Sequence, residues 1–145
     1  MFQHILVATD GSPLSTAAVE NALSLARDAG AKVTVLTATE PFHLLTTDSK
    51  QIADTRATYE QHSKAEAARL LAETERKAKA LGVPCKIVQV EQEHPYEAII
   101  ETAKKSGCDL IAMASHGRRG VSALIIGSET MKVLTHSSIP VLVYR

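Results

Sequence analysis

The chain has 145 residues, with 16 Lys and Arg against 16 Asp and Glu, so its formal net charge is zero. That length sets an expectation of one domain spanning residues 1–145. The charge balance excludes a strongly basic nucleic-acid binder and a surface held to anionic lipid by bulk charge, so any anion must be bound by local geometry. Trp is absent and aromatic residues make up 3% of the chain, so the core is expected to consist of Val, Ile, Leu and Ala, without stacking platforms for single-stranded nucleic acid. Cys85 and Cys108 lack a CxxC or histidine companion, the pattern of reduced cytosolic thiols. Met1–His4 shows no basic leader, and no apolar run approaches the roughly 18 residues of a membrane span. A cytoplasmic protein with no nucleic-acid or membrane partner is expected.

In chain order, Ile5–Thr9 is an apolar run without alternation, the pattern of a central strand covered on both faces. Ser12 can cap the following helix, Pro13 suits its first position, Ala18, Ala22, Leu25, Ala26 and Ala29 form its stripe, and Gly30 ends it. Lys32–Thr37 is rich in β-branched residues and predicts a second strand. Glu40 to about Ser49 predicts a loop, and a long helix is marked from Tyr59 to Leu81 by Ala67, Leu70, Leu71, Thr74, Ala78 and Leu81 on one face. Gly82-Val83-Pro84 stops it. Cys85–Glu91 predicts a third strand, His94-Pro95-Tyr96-Glu97 opens a third helix that runs to Gly107, and Asp109–Ala114 predicts a fourth strand. Ser128 to about Thr135 can form a last helix and Pro140–Tyr144 a fifth strand. Strands alternating with helices imply right-handed βαβ units and a single doubly wound α/β domain. Ligands of such sheets bind beyond the carboxyl ends of the strands, where the strand order reverses.

Three carboxyl ends therefore matter: Ala8-Thr9-Asp10, Ala38-Thr39-Glu40 and Ala114-Ser115-His116-Gly117. No G-x-G-x-x-G or G-x-x-x-x-G-K-[ST] is present, which excludes the classical dinucleotide and P-loop readings. Glycine is instead concentrated after the fourth strand, at Gly117, Gly120 and Gly127, and Gly127-Ser128 opens a helix whose free N–H groups and dipole attract phosphate. These glycines either make turns beneath solvated arginines or form an anion cradle. Their place after a buried strand, at the expected crevice, favours the cradle.

The opening Ile-Leu-Val-Ala-Thr-Asp-Gly-Ser, the segment Asp-Leu-Ile-Ala-Met-Ala-Ser-His-Gly, the later Gly-Ser and the closing Ile-Pro-Val-Leu-Val-Tyr together resemble the universal stress protein family over essentially the whole chain. The resemblance implies a five-stranded parallel sheet of order 3-2-1-4-5 with four helices, of the adenine nucleotide alpha hydrolase-like type, usually in a homodimer. The nucleotide-binding branch carries a G-2x-G-9x-G-[S/T] motif that holds ATP; its second glycine falls on Gly117, its third on Gly127 and its hydroxyl on Ser128. Its first glycine falls on Ala114, a departure at a position that meets the ribose largely through backbone. An added methyl there is either tolerated or narrows the site.

The adenine-nucleotide site implied by the resemblance comprises Ala8, Thr9, Asp10, Ala38, Met113, Ala114, His116, Gly117, Arg118, Arg119, Gly127, Ser128, Glu129 and Thr130. Ala38 would offer backbone groups to adenine. Asp10 either caps the first helix or bonds a ribose hydroxyl, and the two roles are compatible. Arg118 and Arg119 either pair with outer phosphates or are solvated. Glu129 either helps a magnesium ion held by the phosphates or repels them. His116 has no partnered nucleophile in the sequence, and Met113-Ala114-Ser115-His116-Gly117 lacks the first glycine of a nucleophile elbow. Without a visible general base, binding with at most slow ATP hydrolysis is expected in place of enzymatic turnover. The alternative is a dimeric stress or interaction protein that uses no nucleotide. Val141–Tyr144 would leave a bare edge in a monomer, covered either by a loop or by the same strand of a second copy, as the resemblance implies.

Overall fold

Aliphatic and β-branched runs form five strands, and each is followed by a segment of helical period up to the last. A computed structural model describes residues 1–42, 49–117 and 126–145, with the side chains of 49, 50 and 52 excepted. The elements are β1 (His4–Ala8), α1 (Pro13–Ala29), β2 (Lys32–Thr39), α2 (Ser49–Ala80), β3 (Cys85–Glu91), α3 (Pro95–Ser106), β4 (Leu110–Ala114), α4 (Ser128–His136) and β5 (Val141–Tyr144). All pairings are parallel, in the order β3-β2-β1-β4-β5, so the expected α/β class, strand order and helix number are observed.

β1 lies at the centre because it can be buried on both faces: Ile5, Leu6 and Val7 are each 0% exposed. Alternation divides them between two cores. Ile5 and Val7 join Val19, Leu23, Val35 and Leu71 under α1 and α2, while Leu6 joins Leu36, Ile99, Ile111, Met113 and Val133 under α3 and α4.

The α1 boundaries follow the sequence signals. Ser12 accepts the Ser15 N–H, Pro13 occupies the first turn, and Gly30 ends the helix in the left-handed region at φ 67°. The α2 stripe is also in place, with Ala67, Leu71, Thr74 and Ala78 buried. The helix begins at Ser49, however, and not at Tyr59. Residues 53–59 are exposed, so this first part of α2 has no buried stripe from which periodicity could reveal it. Residues 43–48 of the predicted loop, His43 among them, lie outside the described residues.

Smaller differences concern strand ends. Thr9 lies just beyond β1 but still donates its N–H to Leu36 O at 3.0 Å. Asp109 precedes β4, and its carboxylate accepts the Gln3 and His4 N–H groups, closing the amino end of β1. Among the described residues, no helix is long and apolar enough to cross a membrane.

Candidate functional site

From β1 the chain proceeds outward through β2 to β3, then crosses back to β4 on the other side, so the strand order reverses between β1 and β4. In sheets of this order ligands bind at the carboxyl ends of the two strands flanking the reversal, and the crevice expected there lies between the loops that leave β1 and β4. Three strongly tied segments form its floor.

The first is the turn after β1. The carboxylate of Asp10 accepts the Ser12 N–H and the Ser15 hydroxyl through Oδ1, both at 2.9 Å. The Thr9 carbonyl accepts the Thr37 hydroxyl at 2.5 Å, linking this turn to β2. Ser12, not Asp10, is the N-cap of α1, and Asp10 braces the turn that leads to it.

The second segment is the end of β4. Met113, Ala114 and Ser115 are buried, and the Ser115 N–H donates to Tyr144 O at 2.7 Å. The Ser115 hydroxyl and His116 Nδ1 are 3.2 Å apart, so this ring nitrogen is engaged locally. Gly117 faces Asp10 so closely that a Cβ on it would overlap Asp10 Oδ2. The two loops on either side of the crevice therefore touch at Asp10 and Gly117.

The third segment is the start of α4. Gly127 donates its N–H to Ser115 O at 2.7 Å, and the buried Thr130 hydroxyl donates to Ala114 O at 2.9 Å. A Cβ at Gly127 would lie 3.2 Å from both His116 Cα and Ser115 O, closer than ordinary packing allows. The glycine thus lets the first turn of α4 close onto β4. The N–H groups of Ser128, Glu129 and Thr130 in this turn have no acceptor within their own helix. Their partial positive charge suits a phosphate group.

Ala8 is the last residue of β1 and Ala38 the next to last of the adjacent β2, and both are half-buried. Ala8, Thr9, Asp10, Ala38, Met113, Ala114, His116, Gly117, Gly127, Ser128 and Thr130 thus belong to strand ends, turns or the helix start around this crevice. Glu129 lies in the same turn of α4 but directs its carboxylate to α3, where Oε2 accepts the Tyr96 N–H at 3.0 Å. Arg118, Arg119 and Gly120 lie outside the described residues. Sequence reasoning placed Ser115 at the end of the fourth strand without a part in the site, and missed Ser15 and Tyr96. Only Ser15 carries a local signal, a hydroxyl one turn into a helix opened by Asp-Gly-Ser-Pro.

A groove of about 160 Å³ between α1 and α2 reaches the turn after β1, where Thr9 and Gly11 line it, and is bounded further along by Thr16, Arg69, Thr74 and Lys77, among others. It is smaller than the roughly 300 Å³ at which ligand pockets begin. Lys77 within it is paired with Glu20 at 2.9 Å. The carboxyl ends of β1 and β4 are therefore the candidate site in preference to this groove.

Comparison with known proteins agrees with the fold. The family model described as the universal stress protein family matches residues 1–145. The chain belongs to the universal stress protein family. It is 32% identical over 147 residues to a universal stress protein of Thermus aquaticus, with full coverage of both chains. It is 30% identical over 149 residues to universal stress protein YxiE of Bacillus subtilis, again with full coverage of both. A universal stress protein solved in complex with cAMP superimposes with a TM-score of 0.73 at 27% identity, over 99% of this chain and 97% of that one.

Proposed function

We propose that the chain binds an adenine nucleotide, ATP with magnesium first among them, in the crevice between β1 and β4, and that it serves stress response as a dimeric binding protein without catalytic turnover. The observation that carries this reading is the closure of Gly127 and Thr130 onto β4, which sets the free amides of α4 beside the Asp10–Gly117 contact. A relative 27% identical to this chain is known in complex with cAMP, which supports the ligand class.

The residues fit a nucleotide in order of polarity. Ala38 presents backbone to the base, Asp10 and Ala114 lie at the ribose, and the amides of Ser128, Glu129 and Thr130 receive the phosphates, with Arg118 and Arg119 as further sources of positive charge. Magnesium enters on the phosphate oxygens. The Ser115 hydroxyl beside His116 Nδ1 is buried, and the reading is one of binding and not of hydrolysis. The dimer forms through the open edge of β5.

A second reading, a dimeric interaction protein without nucleotide, is favoured by one observation, the alanine at position 114. Titration calorimetry with ATP and ADP in magnesium separates the two. Saturable heat with Kd of about 1–100 µM is expected, and no heat at about 1 mM nucleotide would establish the second reading. Ala114→Gly is expected to preserve or tighten binding; weakened binding would contradict the placement of the ribose beside Ala114.

A further inference from the structure

Glu129 occupies the first turn of α4, where a carboxylate could repel phosphates or hold their magnesium. Its contacts point elsewhere. Oε2 accepts the Tyr96 N–H at 3.0 Å, and Oε1 accepts from Lys132 Nζ at 3.2 Å. The helix that receives it needs such a partner: the N-cap of α3, His94, makes no side-chain capping bond, and Pro95 has no N–H to offer. Tyr96 is thus the first donor of α3, and a residue 33 positions later on another helix satisfies it.

The contact continues along α4. The Tyr96 ring lies 5.4 Å from that of His136, and Lys132 Nζ lies 5.5 Å from the Tyr96 ring centre. On its other side the same first turn is tied to β4 by Gly127 and Thr130. The turn is therefore held from two directions, by β4 through neutral hydrogen bonds and by α3 through a carboxylate.

We propose that Glu129 is a positioning residue: by capping α3 at Tyr96, with Lys132 compensating its charge, it fixes the first turn of α4 in the orientation that presents its amides to a phosphate. This rests on the nucleotide reading above. The Glu129 carboxylate touches neither phosphate nor metal. Its charge also lies favourably at the positive ends of both helices.

The test compares Glu129→Ala with Glu129→Gln, which keeps an acceptor and removes the charge. Calorimetry is run with ATP at several magnesium concentrations and with adenosine, which has no phosphate. Glu129→Ala is expected to weaken ATP about tenfold while leaving adenosine unchanged, and Glu129→Gln to stay within about threefold of the parent, with the same magnesium dependence. Tighter ATP binding in Glu129→Ala would establish repulsion, and loss of magnesium dependence in Glu129→Gln would establish a metal ligand; either overturns the proposal. Equal losses for ATP and adenosine overturn it as well, since the effect would then not be one on phosphate.

Amide hydrogen exchange of the nucleotide-free chain tests the contact independently. Tyr96 is expected to exchange at least about tenfold faster in Glu129→Ala and at the parental rate in Glu129→Gln. Unchanged exchange in Glu129→Ala would overturn the proposal even if ATP binds. If the parent chain binds no ATP, the nucleotide reading and the phosphate role fall together, and the exchange result then decides the α3–α4 contact alone.

Discussion

A methyl group added at Gly117 would overlap Oδ2 of Asp10, whose other oxygen is already held by Ser12 and Ser15. Relief requires either turning the carboxylate away from both partners or separating the two loops. Gly117→Ala should therefore cost about 1–3 kcal/mol in a denaturant titration, the usual range for overpacking, and should also weaken ATP binding. An unchanged midpoint would mean that the Asp10–Gly117 contact is not tight in solution. Gly127 is under a different constraint. Its φ of −62° suits any residue, but its Cβ would press on the His116 and Ser115 backbone, so the proximity of α4 to β4 and not backbone conformation favours glycine.

A second residue-scale prediction concerns His4 at the amino end of the sheet, away from the crevice. Its Nε2 lies 2.7 Å from the Thr34 hydroxyl, and burial, followed by the charge of Lys32, lowers its pKa below the ordinary 6.5. The folded state thus resists a proton that the unfolded chain accepts near pH 6.5. His4 contributes stability fully present above that pH, and this contribution is lost as pH falls through the unfolded and then the folded pKa. Urea midpoints should drop on acidification below about pH 6.5, and His4→Gln should flatten that part of the profile. An equally steep drop in the variant would assign the effect to other groups.

At the scale of elements, the two ends of α2 differ in what holds them. Leu71, Thr74 and Ala78 are buried, whereas residues 53–59 are exposed and rely on intrahelical bonds and on contacts with the segment before the helix: the Tyr59 hydroxyl donates to Glu40 O at 2.8 Å, and Phe42 meets the Tyr59 ring at 5.7 Å and the Arg56 guanidinium at 5.9 Å. Amides of residues 53–58 should exchange at least about a hundredfold faster than those of residues 71–78. Equal protection would mean that the first part of α2 is covered, for instance by a second chain.

The same contrast explains what the sequence reveals about elements. Ile5–Val7 and Leu110–Ala114 are legible as strands because burial on both faces demands continuous apolar runs, and Ala67–Ala78 is legible as a helix because one face is buried. The start of α2 is not legible because no packing imposes a period on it. In the candidate site, Asp10, Gly117, Gly127 and Ser128 can be read from local turn and helix-start chemistry. The Thr130–Ala114 and Glu129–Tyr96 bonds cannot, because their partners meet only after the chain has folded.

For the whole molecule, the open question is the β5 edge. Ile111 donates its N–H to Pro140 O and Ser115 donates to Tyr144 O, so Pro140 and Tyr144 turn toward β4, and alternation turns the N–H and C=O of Val141 and Val143 outward. An outward N–H can be deleted without breaking the ladder to β4, since proline is tolerated on the open side of an edge strand. If a second copy pairs with this edge, the chain should sediment at twice 15.6 kDa and Val143→Pro should sediment as a folded monomer. A Val143→Pro dimer of parental strength would place the interface elsewhere.

The zero net charge has a consequence at this scale too. Without a bulk field, a polyanion can be held only where local dipoles converge, and the crevice between β1 and β4 is where the fold brings a helix start and two loop ends together. The most direct test is to follow the backbone amide resonances of the labelled chain during titration with magnesium ATP. Saturable shifts at Asp10, Gly117 and Gly127–Thr130, with Arg69 and Lys77 of the α1–α2 groove unmoved, are the predicted result. No shifts at millimolar ATP, or shifts confined to the α1–α2 groove, would contradict the account.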